Sequence, residues 1–258
     1  ESFTIIFLPF VKPFAALIRR LLPDKAHKVV EGAQYLDPKL IEATPGIAVE
    51  AVKNECAYMG FLVIHLLDSV QEVFFNDKKD LIPKIEETEA KIDQLHKAVK
   101  AYAEDIMQAG ISDDAARVLT LYVASSGNIE RIGDYAVNIQ EKAVELYEKE
   151  ASFSDIAKNE LKLLDSALEQ ILTRTNDAFE NDDIALARQV EPLEEVIDIL
   201  VEKLRDGHIK RLKDGICSID TGVVFLDVLN NVERISDHCS NAAFTVVDFE
   251  NIVAAHSN

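Results

Sequence analysis

The sequence predicts an all-α protein built as two tandem three-helix bundles, preceded by the end of a hydrophobic helix. Three observations predict it. Nine glycines, seven prolines and no tryptophan in 258 residues, with Ala, Leu, Glu, Lys and Asp crowding periodic stretches, favour helix over sheet. Asn54-Glu55, Phe74, Asn76-Asp77 and Glu86, Glu89, Ile92-Asp93 recur 105 residues later as Asn159-Glu160, Phe179, Asn181-Asp182 and Glu191, Glu194, Ile197-Asp198. The same acidic motif then stands in both copies, Asn128-Ile-Glu-Arg-Ile-Gly-Asp134 and Asn231-Val-Glu-Arg-Ile-Ser-Asp237, at an offset of 103. A repeat of this regularity is one supersecondary unit used twice, and two copies are too few for a solenoid.

Taken in order, residues 1–22 are apolar but interrupted by Pro9, Lys12 and Pro13, short of an uninterrupted membrane span. Arg19, Arg20, Lys25 and Lys28 follow, as on the cytoplasmic flank of a membrane helix, and an amphipathic helix packed on the core fits equally. The chain opens inside this apolar run with neither Met nor a signal pattern, and reads as part of a longer protein. Residues 23–45 read as a linker, with turn signals at Gly32, Asp37-Pro38 and Thr44-Pro45-Gly46. Thr44 and Pro45 start a helix to about residue 75, and Asn76-Asp77 is expected to cap a second helix to about residue 108. Gly110 stops that helix, and Ser112-Asp113-Asp114 starts a third that carries the motif to about residue 149. Residues 46–150 thus form the first unit and 151–258 the second, with about two residues lost before the second motif.

The charge excludes some partners. With 27 Lys and Arg against 46 Asp and Glu, the net formal charge of −19 argues against a nucleic-acid partner. It is unevenly spread: residues 1–30 carry five basic and two acidic side chains, leaving 22 basic and 44 acidic for the rest. Three cysteines without CxxC spacing suggest neither a disulfide framework nor a zinc site, and fit a reducing compartment. No Gly-rich phosphate loop, HExxH or nucleophile setting marks the chain as an enzyme, and no catalytic residue is assigned.

The motifs carry the chemistry. On a helix Glu130 and Asp134 project from one face with Asn138 a turn further on, and Glu233, Asp237 and Asn241 repeat that stripe beside apolar Ile129, Ile132, Val137 and Ile235. Like charges at this spacing call for a neutraliser. One is a bound cation, for which an all-oxygen set suits magnesium, manganese or calcium, and carboxylates bridging helices also hold iron. The other is salt bridging by Arg131 and Arg234 across the pseudo-symmetric interface. Glu86, Glu89 and Asp93, with Glu191, Glu194 and Asp198, form a second stripe that reads mainly as solvated face, Asp93 and Asp198 being open to bonding either the motif groups or helix ends. His238 follows Asp237, but Tyr135 stands at that position in the first copy, which favours an ordinary helix histidine; His65 and His96 read the same way.

The stretches Glu-Arg-Ile-Gly-Asp-Tyr-Ala-Val-Asn and Glu-Arg-Ile-Ser-Asp-His-Cys-Ser-Asn resemble the PhoU family of phosphate-regulatory helical proteins, over roughly residues 50–250. The resemblance implies tandem three-helix bundles whose repeated E/D-xxx-D motifs bind metal, iron or zinc or another divalent cation, with Glu130, Asp134, Glu233 and Asp237 as ligands. Cys239 and Ser240, where the first copy has Ala136 and Val137, depart from the pattern and weaken the case for the second site. Tyr35-Leu-Asp-Pro38 and Thr44-Pro45-Gly-Ile-Ala48, behind a hydrophobic end and basic flank, are similar to sodium/phosphate cotransporter family proteins. That implies a cytoplasmic regulatory region on a cell-membrane transporter lying upstream, with inorganic phosphate and sodium handled there and a homo-oligomer open. A free-standing PhoU-like adaptor docking on a separate transporter or sensor kinase is the alternative. A di-iron-type enzyme is disfavoured, since neither motif has a Glu-x-x-His beside it.

Overall fold

The computed structural model describes residues 32–255; the apolar stretch 1–22 and its basic flank lie outside them. The described elements are α1 (Pro38–Ala43), α2 (Pro45–Asn76), a 3-10 turn (Lys79–Leu81), α3 (Ile82–Ala109), α4 (Asp113–Glu148), α5 (Asp155–Asn181), α6 (Ile184–Ala187), α7 (Val190–Lys213) and α8 (Ile219–Ala255). No strand occurs among the described residues. Helices α2, α3 and α4 pack as one bundle, α5, α7 and α8 as its repeat, and the most extensive contact among the described elements is α4 against α8.

Local chemistry sets the helix ends. Ser112 and Ser154 cap α4 and α5 by accepting from the N–H of Ala115 and Ala157, the first as its sequence position predicts. Pro45 occupies the first turn of α2, where a missing N–H costs nothing. Asn76-Asp77 behaves differently from expectation: Asp77 adopts the left-handed conformation, φ 56°, and terminates α2, while α3 starts only after the 3-10 turn, with Pro83 in its first turn. Its repeat mate Asp182 ends α5 in the same way, φ 51°. A short polar side chain tolerates this region, so one residue type can serve either helix end. In the second copy Ser218 takes the capping role for α8 by accepting from Thr221 N–H. It stands 13 residues before Asn231, where Ser112 stands 16 before Asn128, so the shortening falls at the start of the motif helix.

The stretch expected to be a linker is more structured than that. It contains α1 and packs Leu36 and Ile41 into the core. The fully buried carboxylate of Glu55 on α2 accepts the backbone N–H of Gln34 and Tyr35, at 3.0 and 2.7 Å, and the Tyr102 hydroxyl donates to the Asp37 carbonyl at 2.8 Å. Burial raises the Glu55 pKa, against the lowering effect of those N–H groups. The equivalent Glu160 is served instead by a two-pronged bond from Arg211, at 2.8 and 2.6 Å.

Apolar positions at helical spacing build one continuous core. On α3 the stripe is Ile85, Ile92, Leu95, Val99 and Ile106, each no more than 1% exposed. Helix α2 is the one described helix long and apolar enough to cross a membrane, and it is central here, burying Met59, Val63, Leu66 and Val70. Helices α4 and α8 run antiparallel: Ser125 bonds Thr245 at 2.7 Å, Asn138 bonds Asn231 at 3.4 Å and Lys142 pairs with Asp227 at 2.8 Å. Tyr135 and His238, the same position of the two repeats, stack on each other with ring centroids 5.7 Å apart, which marks the pseudo-two-fold axis.

The axis also relates the α2–α5 contact, though its polar positions have diverged. Gly60 lets α5 approach so closely that a Cβ there would fall 2.1 Å from Asn176 Oδ1. At the related place Gln71 and Asp165, the repeat mates of Asn176 and Gly60, share an otherwise apolar cavity lined by Leu67, Phe74, Leu164 and Val232.

Two predictions follow from this packing. Replacing Tyr135 and His238 by Ala singly and together should give a coupling energy of about 0.5–1.5 kcal/mol in a double-mutant cycle read by denaturant unfolding; a cycle that closes at zero would remove the stack from the energetics of the interface. Burial, reinforced by Glu169 and Asp68, raises the Asp165 pKa to about 6. A folded pKa above the unfolded one of about 3.9 means that this group's stabilisation is complete below about pH 4 and lost as pH rises through about 6. Asp165→Asn, neutral throughout, should flatten that part of the pH profile and exceed the parent in stability by about 1 kcal/mol at pH 7.5, after allowance for solvent screening. Thermal melts across pH 4–8 check this, and parallel profiles for the two proteins would contradict it.

Candidate metal centres

The four motif carboxylates lie where the spacing places them, Glu130 and Asp134 on α4 and Glu233 and Asp237 on α8. Their helices are anchored by the apolar residues between them: Ile129 and Ile132 are 7% and 3% exposed, Val232 and Ile235 5% and 0%. The central residue of each motif is small. A Cβ on Gly133 would already touch Ile92 of α3 at 3.7 Å, and Ser236 is fully buried with its hydroxyl donating to the Glu233 carbonyl at 2.9 Å. The carboxylates therefore sit at the border of the core, facing the second helix of their own bundle.

What that second helix contributes was only half legible beforehand. Glu89 and Asp93 on α3, and Glu194 and Asp198 on α7, are not merely solvated face, because the fully buried Ile92 and Ile197 orient them towards the motifs. Each bundle thus assembles four carboxylates from two helices. The Glu89 pKa is raised by burial and then by Asp134, Asp93 and Glu130; the Glu130 pKa is raised by burial and then by Asp134, with Arg131 opposing. In the second bundle burial pushes the Glu194 pKa up to about 7, followed by the charges of Asp198 and Asp237. Asp198 is raised by burial, then by Glu233 and Asp237. The signal that could have found these four residues is that they share the Glu-x-x-x-Asp spacing of the motifs and repeat in register.

The salt-bridge alternative takes a different form from the one expected. Arg131 and Arg234 do not reach across the interface; each makes a long contact with the acid three residues on, to Asp134 at 3.6 Å and Asp237 at 3.5 Å, from exposed side chains. Exposed pairs of this kind are worth a few tenths of a kcal/mol and leave most of the repulsion in place. His238 bonds Asn128 at 3.0 Å and stacks on Tyr135, so it is satisfied at the interface. His96 is likewise held by Ser126 at 2.9 Å, and the exposed His65 sits edge-on to Phe61.

The donor set fits a cation. Ligand oxygens of Glu194, Asp198 and Asp237 all lie within 4.8 Å of one another. Asp198 Oδ1 is buried without a hydrogen-bond partner, a costly state that a cation would relieve. An all-carboxylate set of this kind suits hard, oxygen-seeking ions. Glu233, the fourth carboxylate of this cluster, is bonded at 3.0 Å by Arg205 of α7, which also holds Asn230 at 2.9 Å.

Comparison with known proteins places this architecture. The chain is 27% identical over 201 residues to a Thermotoga maritima protein named as a phosphate-specific transport system accessory protein PhoU homolog, covering 77% of this chain and 85% of that one. A Deinococcus radiodurans protein of the same name is 22% identical over 197 residues, covering 76% and 91%. Among solved structures, PhoU from Pseudomonas aeruginosa superposes with a TM-score of 0.73 at 21% identity, covering 78% of this chain and 96% of that one. The PhoU regulatory protein of the Streptococcus pneumoniae phosphate transport system gives 0.72 at 19%, covering 80% and 97%. The PhoU domain model matches twice, at residues 57–143 and 161–246, once on each three-helix unit, and the chain therefore belongs to the PhoU domain family.

Proposed function

We propose that this chain is a PhoU-type regulator of inorganic phosphate transport, which binds cations at its two carboxylate clusters and acts on a phosphate transporter or its sensor partner by docking. The observation that carries the reading is the paired site itself, eight carboxylates in two matching clusters on a duplicated PhoU frame. The relatives support the regulatory part, since they are named accessory and regulatory proteins of phosphate transport and share most of their length with this chain. The role is regulatory, not catalytic, and its place is the cytoplasmic side of the membrane, where a transporter's internal surface is reached.

A second reading has its own support. Residues 1–30 are apolar and carry a net charge of +3 against −22 for the remainder, which suits the same bundle joined in one chain to a sodium-dependent phosphate transporter. In that arrangement the partner is the upstream transmembrane region, and phosphate and sodium are handled there.

Metal analysis tests the site. Purified protein should carry iron, zinc or another divalent cation, and Glu130→Ala and Asp237→Ala should each reduce the content; content unchanged in both variants would end the cation reading. Phosphate uptake by cells with and without the gene, with membranes washed at high pH, separates the two arrangements. Release of the full-length protein by the wash, with altered uptake, supports docking, whereas retention with sodium-dependent uptake supports a tether.

A further inference from the structure

The two carboxylate clusters arise from one repeated plan, yet the cations around them differ at two positions. In the first cluster Lys97, one turn after Asp93 on α3, holds that carboxylate at 2.5 Å. Its ammonium also acts on Glu89 and Glu130, so it is a resident cation of the whole group. Arg131 adds contacts of 3.7 and 3.6 Å to Glu130 and Asp134. The position of Lys97 in the second repeat is Glu202, an acid, so no lysine reaches Asp198 from there. Arg205, the counterpart of Lys100, goes to Glu233 instead and leaves Glu194, Asp198 and Asp237 converging. Among the described residues, no comparably tight group forms in the first cluster.

We propose that the two sites are filled in order, the α7–α8 site first, and that Lys97 sets the order by occupying the α3–α4 site as a built-in competitor. The inference rests on the cation reading above. At the second site the ion meets three carboxylates already gathered, with an Asp198 oxygen buried and without a hydrogen-bond partner, so binding there disturbs only the long Arg234 contact to Asp237, which matches that of Arg131 to Asp134 in the first cluster. At the first site the ion must displace an ammonium and draw the carboxylates together. The lysine is 71% exposed in its side chain, so it is readily displaced and the first site is weakened, not closed. The pair then responds over a wider range of cation concentration than two equal sites would, with the first bundle as the late responder.

Calorimetric titration of the chelator-stripped full chain with Mn²⁺ tests this, with electron paramagnetic resonance counting the free ion. Two phases at least fivefold apart in Kd are expected. Asp198→Asn should remove the tighter phase and Glu130→Gln the weaker. Lys97→Gln, an exposed change that a helix tolerates, should bring the weaker phase towards the tighter by severalfold, and Glu202→Lys should weaken the tighter phase. Two phases of equal Kd, or Lys97→Gln leaving both phases where they were, would overturn the ordering while leaving the sites intact. An absence of any Mn²⁺ binding by the parent protein would overturn the cation reading itself.

Discussion

The contact on which the rest depends is the antiparallel pairing of α4 with α8. These two helices carry both motifs, and their crossing brings Tyr135 and His238 into register as mutual partners. Because the two halves meet through the motif helices, the acidic faces are left to the outer helices α3 and α7, whose own acids complete the clusters. Had the bundles met through α3 and α7, Glu89, Asp93, Glu194 and Asp198 would have been buried against each other, at a desolvation cost that helix packing does not recover. The interface and the sites are thus one constraint: the apolar face of each motif helix builds the dimer-like core, and the acidic face turns the other way.

Much of this arrangement was legible in the sequence. The offset of 105 between the repeats gave the helices in pairs, and the cap recognised at Ser112 has its structural counterpart at Ser218. The motif acids were recoverable because duplication of a charged pattern beside apolar residues is improbable by chance. The stripe on α3 and α7 was not, since a row of acids on a helix is ordinarily its solvated face, and only the turning of Ile92 and Ile197 into the core decides which way the row points. Position 233 shows another limit: the motif shows the acid, but its partner Arg205 comes from another helix and is not visible in the motif.

Two further departures have simple causes. Helix α1 is six residues long, too short to display a period, and it exists because Leu36 and Ile41 bury against α2 and α3. Asn76-Asp77 was read as the start of a helix when it ends one, because aspartate both caps and occupies the left-handed region, and only the partner groups distinguish the two. The repetition of that geometry at Asp182 shows that the corner belongs to the fold.

The Glu55 clamp gives the molecule a load path. The chain ahead of α1 is fastened to α2 by a buried carboxylate holding two backbone N–H groups, and to α3 through the Tyr102 hydroxyl. A pull or push arriving along the backbone at Gln34 is delivered to the first half of the central helix rather than absorbed in slack. Helix α2 touches α5 and shares a core with α4, so displacement there is felt by both bundles at once. A rearrangement within either bundle would travel outwards by the same route, which makes the lead-in segment a lever arm in both directions.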